Sequence, residues 1–135
     1  MTNQAKNHYQ IVVIGGGAAG ITVTAQLLKQ ESNLDIAIVE PSDKHYYQPA
    51  WTLVGGGAYK LEDTIKAERD CIPSGASWIK AAIAQLNPEQ NTVIAQDGRS
   101  ITYDYLIVCP GIQIDWHLIK GLPEALGKNG VTSNY

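Results

Sequence analysis

One run near the start of the chain, residues 9–20 (YQIVVIGGGAAG), constrains the fold more than any other feature. Residues 9–14 are mostly apolar and rich in β-branched side chains, the pattern of a strand buried on both faces. Three glycines follow without a break. Ile21, Ala25 and Leu28 then recur at spacings of 4 and 3, with Val23 and Leu27 beside them. That pattern predicts an amphipathic helix over 18–30 lying against a sheet. Ser32 and Asn33 break the helix, and residues 34–39 (LDIAIV) predict a second strand, ended by Glu40 and Pro41. Strand, glycine turn, helix and strand in about 35 residues make one parallel βαβ unit, which crosses over right-handed.

Gly15, Gly17 and Gly20 spell G-x-G-x-x-G between that strand and that helix. Gly15 permits the tight turn, Gly17 lets the backbone approach a pyrophosphate, and Gly20 lets helix and strand pack closely. The backbone amides of Ala18 and Ala19 stand at the helix N-terminus, where partial positive charge favours phosphate. Glu40 lies 20 residues after Gly20, at the end of the second strand. A carboxylate there accepts from the ribose hydroxyls of an adenosine and repels a 2′-phosphate, which disfavours NADP. The glycine string alone is weak evidence, and a turn chosen for packing is its bland reading. Strand, helix and acid together favour a dinucleotide site, without choosing between FAD and NAD.

Composition narrows the rest. A net charge of −3 with pI near 5.5 gives no basic field for nucleic acid or anionic lipid. The apolar run at 11–14 is far short of the roughly 20 residues that span a bilayer. Residues 1–10 are polar, so no signal peptide is expected. Two cysteines 38 residues apart form neither a disulfide framework nor a zinc pattern, which suggests a reducing, cytoplasmic setting. A length of 135 residues suggests one domain.

Further along, residues 41–58 hold prolines, three consecutive glycines (Gly55 to Gly57, a turn or hinge) and an aromatic knot, and predict an ordered loop. Residues 61–71 predict a short helix from Leu61, Ile65, Glu68 and Arg69. Residues 77–86, 92–96 and 100–109 predict strands, with turns at Asn87–Pro88 and Asp97–Gly98. They read as a meander packed on the βαβ unit, with partner surface missing. Beyond Pro110 there are only loop signals. The last strand ends in Cys109–Pro110–Gly111 and returns beside the glycine loop, where Gly111 permits close approach of a cofactor. Cys71 reads as a structural thiol despite Arg69, His45 as a loop-fixing residue, and Trp51 and Trp78 as packing residues. His8 and His117 have no ligand spacing, so no metal site is expected.

The segments VVIGGGAAGIT, IVEPSDKHYYQPAWTLVGGG, IPSGASWIKAAIAQLNPEQNTV, YDYLIVCPGIQID and IKGLPEAL resemble the N-terminal third of sulfide:quinone oxidoreductases, two-dinucleotide-fold flavoproteins. HYYQPAWTLVG is the most specific of these. The resemblance implies a Rossmann-like, three-layer α/β fold with an added β-meander, incomplete relative to the family. Residues 1–8 are then a polar tail and 9–135 the first part of an FAD-binding domain. It implies FAD carrying two electrons from sulfide to quinone. By motif match, Gly15, Gly17, Ala18, Ala19 and Gly20 hold the pyrophosphate and Glu40 the ribose. Gln48 lies toward the flavin, Ile83 meets the adenine through its backbone, and Cys109 and Gly111 line the cofactor. Pro110 departs from the pattern and removes one N–H. The family's reactive cysteine pair, second nucleotide fold and C-terminal membrane-associating segment are expected downstream. The 135-residue chain alone is therefore expected to be inactive, and its full-length relative to be peripheral on a membrane and able to form a homo-oligomer. Rival readings are a type II NADH dehydrogenase, a flavocytochrome-type flavoprotein, or a nucleotide-binding module without turnover.

Overall fold

Alternate side chains of the first strand, β1 (His8–Ile14), serve two different cores, and the fold is built outward from it. The structure, a computed structural model, describes residues 6–133. These form two compact units, 6–46 with 66–110 and 47–65 with 111–133, where length alone suggested one.

In the first unit, β1 lies parallel to β2 (Ile36–Val39), which lies parallel to β5 (Ala76–Ile79). On its other side β1 is parallel to β8 (Ser100–Val108). Then β7 (Thr92–Ala95) and β6 (Ile83–Asn87) continue antiparallel, giving the order β5-β2-β1-β8-β7-β6. The meander is therefore hydrogen-bonded into the sheet through β8: Ser100 to Thr102 pair with β7, while Thr102 to Val108 pair with β1.

Ile11, Val13, Ile36 and Ile38 face the helix α1 (Ala18–Gln30) and meet its Val23, Leu27 and Leu28. Val12, Ile14, Ala37 and Val39 face the other way, against Val93, Ala95, Ile101 and Tyr103 of the meander. Helix, parallel sheet and folded-over meander are the three layers expected. Parallel strands covered on both faces read as continuous apolar runs, which is why β1 and β2 were legible.

Several expectations need correction. The buried face of α1 is Gly20 and Thr24, flanked by Val23, Leu27 and Leu28, while Ala25 is exposed. Gly20 turns inward because the helix start presses on β1: a Cβ there would stand 1.9 Å from the Gly15 carbonyl oxygen. The run 77–86 is two strands, β5 and β6, at opposite edges of the sheet. Residues 80–82 carry the chain across, and buried Ala81 preserves the apolar pattern that hides the break.

The region 61–71 is a 3₁₀ turn (Glu62–Thr64), the strand β4 (Ile65–Ala67) and the single-turn α3 (Glu68–Cys71). β4 forms a two-stranded ribbon with β3 (Lys44–Tyr46), which lies within the expected loop. Helical spacing loses here to a distant partner, since the Glu68 N–H donates to the Asp43 carbonyl at 2.8 Å.

The second unit contains a 3₁₀ turn (Gln48–Ala50), α2 (Trp51–Gly55), another 3₁₀ turn (Trp116–Leu118) and α4 (Leu122–Ala125), so two short helical elements stand where only loop was expected after Pro110. Thr64 organises it: its carbonyl accepts from the Tyr47 N–H, its hydroxyl donates to the Leu61 carbonyl, and Trp51 Nε1 donates to that hydroxyl. No helix among the described residues is long and apolar enough to cross a membrane.

Candidate functional site

The loop between β1 and α1 is shaped by approaches that only glycine tolerates. Gly15 has φ +101°, and a Cβ there would stand 2.1 Å from the Cys109 carbonyl oxygen. Cys109 is brought there by the β1–β8 pairing, its N–H donating to the Ile14 carbonyl at 2.8 Å. The expected return of the last strand beside the loop is thus present, carried by Cys109 and Pro110.

Gly17 differs from its neighbours. It is the N-cap of α1, has ordinary extended backbone (φ −70°, ψ −177°), and a Cβ there would meet nothing within 4 Å. Gly17, Ala18 and Ala19 are exposed. The helix has no side-chain cap and no acidic residue in its first turn. Its first N–H groups lack intrahelical acceptors, and no side chain of its own first turn offsets its positive end. These are the requirements for holding a phosphate.

Beside this loop, at the ends of β1 and β2, lies a cleft of about 260 Å³ lined by Ile14, Gly15, Val39, Glu40, Pro41, Ala81, Ala82, Ile83 and Pro110. It stands where the strand order reverses: the chain leaves β1 toward β2 on one side, and after β5 it crosses to the strands on the other side. Open α/β sheets bind ligands outside the strand ends at such a point. The lining is apolar apart from Glu40, which suits an adenine beside a ribose acceptor.

Glu40 is held as no pattern foresaw. Its Oε2 accepts from the Gly16 N–H at 2.8 Å and its Oε1 from the Ser42 N–H at 2.7 Å. Its own carbonyl accepts from Trp78 Nε1 at 2.9 Å, so Trp78 fixes the backbone of the acid. Each carboxylate oxygen retains a second lone pair. Two acceptor sites remain for a diol.

Two further groups close the back of the loop. His45 Nδ1 lies 3.2 Å from the Gly16 carbonyl oxygen and 3.7 Å from Glu68 Oε2. A carbonyl only accepts, so Nδ1 carries the hydrogen. The loop-fixing expectation for His45 therefore has a definite partner. Glu68 is 1% exposed, and its Oε1 has no hydrogen-bond partner. Burial first, and then the neighbouring Glu40 carboxylate, push its carboxyl up to about 7. Burial also pushes the Cys71 thiol up, with Glu68 adding to the effect, which is the opposite of an activated nucleophile.

A sequence profile of the pyridine nucleotide-disulphide oxidoreductases matches residues 9–134. The chain belongs to this family. It is 54% identical over 131 residues to the mitochondrial sulfide:quinone oxidoreductase of Dictyostelium discoideum, covering 96% of this chain and 29% of that protein. It is 47% identical over 131 residues to the Mus musculus mitochondrial sulfide:quinone oxidoreductase, covering 97% of this chain and 29% of that protein. The X-ray structure of the sulfide:quinone oxidoreductase from the hyperthermophilic bacterium Aquifex aeolicus superposes with TM-score 0.67 at 29% identity, covering 82% of this chain and 25% of that one. The chain thus spans under a third of the length of the curated relatives it matches. Membership of the pyridine nucleotide-disulphide oxidoreductases implies a flavin or nucleotide cofactor.

In this chain the expected residues fall into two groups. Gly15, Glu40 and Ile83 share the cleft, Cys109 abuts Gly15, and Gly17, Ala18, Ala19 and Gly20 form the loop and first turn. Gln48, exposed at the start of its 3₁₀ turn, and Gly111 at φ +73° belong to the second unit. The reading by pattern missed Gly16 and Glu68. A third consecutive glycine outside the G-x-G-x-x-G positions was the available signal, since it marks a place without room. A Cβ on Gly16 would stand 2.2 Å from Glu68 Oε1 and 2.7 Å from Glu40 Cγ.

Proposed function

We propose that this chain is the first part of the FAD-binding domain of a sulfide:quinone oxidoreductase, holding the adenosine diphosphate half of the cofactor. The observation that carries the reading is the conjunction of exposed amides at Gly17, Ala18 and Ala19 with the apolar cleft closed by the Glu40 carboxylate. The choice of FAD over a free nucleotide is supported by the relatives' activity, which takes electrons from sulfide to quinone by name.

The roles follow from the chemistry of each group. The first-turn amides of α1 offer donors and positive potential to the pyrophosphate. Glu40 accepts from the ribose hydroxyls and disfavours a 2′-phosphate. Ile83 and the alanines before it exclude water from the adenine, and the Cys109–Pro110 backbone walls the cleft beside Gly15. Gln48 and Gly111 are proposed on the motif alone, toward the flavin. FAD, when bound, supplies a two-electron carrier between sulfide, which is oxidised, and a quinone, which is reduced to quinol. Turnover requires residues beyond this chain: a reactive cysteine pair, a second nucleotide fold and a membrane-associating segment. Both curated relatives are mitochondrial by name, which favours an organellar setting for the full-length protein over a cytoplasmic one.

The test is the visible spectrum of the purified chain after incubation with FAD and desalting, with the mass of any cofactor released on denaturation. Retained flavin with the FAD mass supports the reading, and a colourless protein that FAD does not protect from thermal unfolding refutes it. Sulfide-dependent quinone reduction by the chain alone is expected to be absent, and measured turnover would overturn that expectation.

A further inference from the structure

The back of the glycine loop carries an unassigned group. Glu68 is buried, belongs to α3, and reaches the loop from behind, where its Oε1 faces the space beside Gly16 without a partner. The titratable groups facing it are Glu40 from the end of β2, His45 from β3, and Cys71 from its own helix. No fixed positive charge is among them.

Gly16 is gripped on both sides of its backbone. Glu40 holds its N–H, and His45 Nδ1–H points at its carbonyl, with Glu68 Oε2 3.7 Å from the same nitrogen. That carbonyl and the Gly17 N–H belong to one planar trans peptide, so they point in opposite directions. Fixing the Gly16 carbonyl toward His45 therefore aims the Gly17 amide away from the protein, on the exposed side where a phosphate would sit. Resting on the dinucleotide reading above, we propose that Glu68 is a positioning residue for the phosphate-binding loop. It acts through His45 on the Gly17 amide, and it does so in its protonated, neutral form.

Two physical arguments support the neutral form. An ionised carboxylate with one oxygen buried and unpaired is costly, and the neutral acid less so. A charged Glu68 also sets a second negative charge beside Glu40 at the base of a site that receives a doubly anionic pyrophosphate. The raised carboxyl of Glu68, at about 7, puts the change of state within reach of experiment. Linkage gives the sign: a ligand preferring neutral Glu68 binds more weakly as pH rises through its midpoint, and binding raises that midpoint in return.

The experiment titrates the 135-residue chain with ADP-ribose, whose pyrophosphate diester does not itself ionise near neutrality. The wild-type dissociation constant is expected to rise about 3- to 10-fold from about pH 6 to about pH 8, corresponding to a ligand-induced shift of about half to one pKa unit. Glu68→Gln, which mimics the neutral acid, should bind at both pH values as the wild type does at the lower one. His45→Asn, which removes the ring through which Glu68 acts, should bind more weakly and with a flattened pH slope. Wild-type binding with no slope, or a slope that survives in Glu68→Gln, overturns the proposal while leaving the dinucleotide reading intact. No ADP-ribose binding at either pH overturns both. Carboxyl ¹³C titration of the wild type is a second readout independent of how the variants fold. A Glu68 midpoint near neutrality that moves up with ADP-ribose supports the proposal, and an ordinary carboxylate midpoint unmoved by ligand overturns it.

Discussion

Gly15, Gly16 and Gly17 are consecutive and chemically identical, yet each answers to a different constraint. Gly15 combines a left-handed backbone with a carbonyl 2.1 Å from where a Cβ would stand, so Gly15→Ala should destabilise the fold by about 2–4 kcal/mol in urea unfolding. Gly17 has an ordinary backbone and open space, so Gly17→Ala should change stability by less than about 1 kcal/mol. Its added methyl nevertheless stands on the exposed face of the loop, and ADP-ribose affinity should fall at least about tenfold, or about 1.4 kcal/mol. Equal stability losses in both variants would contradict the division between fold and ligand. At this scale the G-x-G-x-x-G positions and Glu40 were legible, because ligand chemistry fixes their spacing. Gly16 and Glu68 were not. Their roles arise from segments separated in sequence and brought together by β3 and α3, and a glutamate in KAERD looks like any solvent-facing charge.

The elements best anticipated were those whose two faces are both covered. β1 and β2 announce themselves as apolar runs, and α1 was placed at its observed bounds. Of its expected face, Val23, Leu27 and Leu28 pack on the sheet, whereas Ala25 is exposed and close packing selects Gly20 and Thr24. Thr24 is fully buried with its hydroxyl unpaired. Thr24→Val keeps the shape and removes that hydroxyl, so stability should hold or rise by about 1 kcal/mol in chemical denaturation. A loss of comparable size would mean that the hydroxyl is satisfied in solution. The break between β5 and β6 was invisible for a related reason: small apolar residues cross the core as readily as they extend a strand.

At the scale of the molecule, Glu68 ties the acid-base behaviour of the site to global stability. Its folded carboxyl, at about 7, lies above the ordinary 4.5, so the folded state holds the proton more tightly than the unfolded chain. Stability from this group is fully present below about 4.5 and is lost as pH rises to about 7, a fall on the order of 3 kcal/mol. Glu68→Gln should flatten that slope in denaturation at several pH values, and an unchanged slope would place it on other groups. The division into two units was not legible, because the second is assembled from two segments far apart in sequence. The chain covers under a third of its curated relatives, so what is proposed for these residues by themselves is binding of the adenosine diphosphate half of a dinucleotide. The most direct measurement is a ¹H–¹⁵N NMR titration of the chain with ADP-ribose. Saturable shifts concentrated at the Gly17, Ala18, Ala19 and Ile83 amides are expected. Shifts absent at saturating ligand, or confined to the second unit, would contradict it.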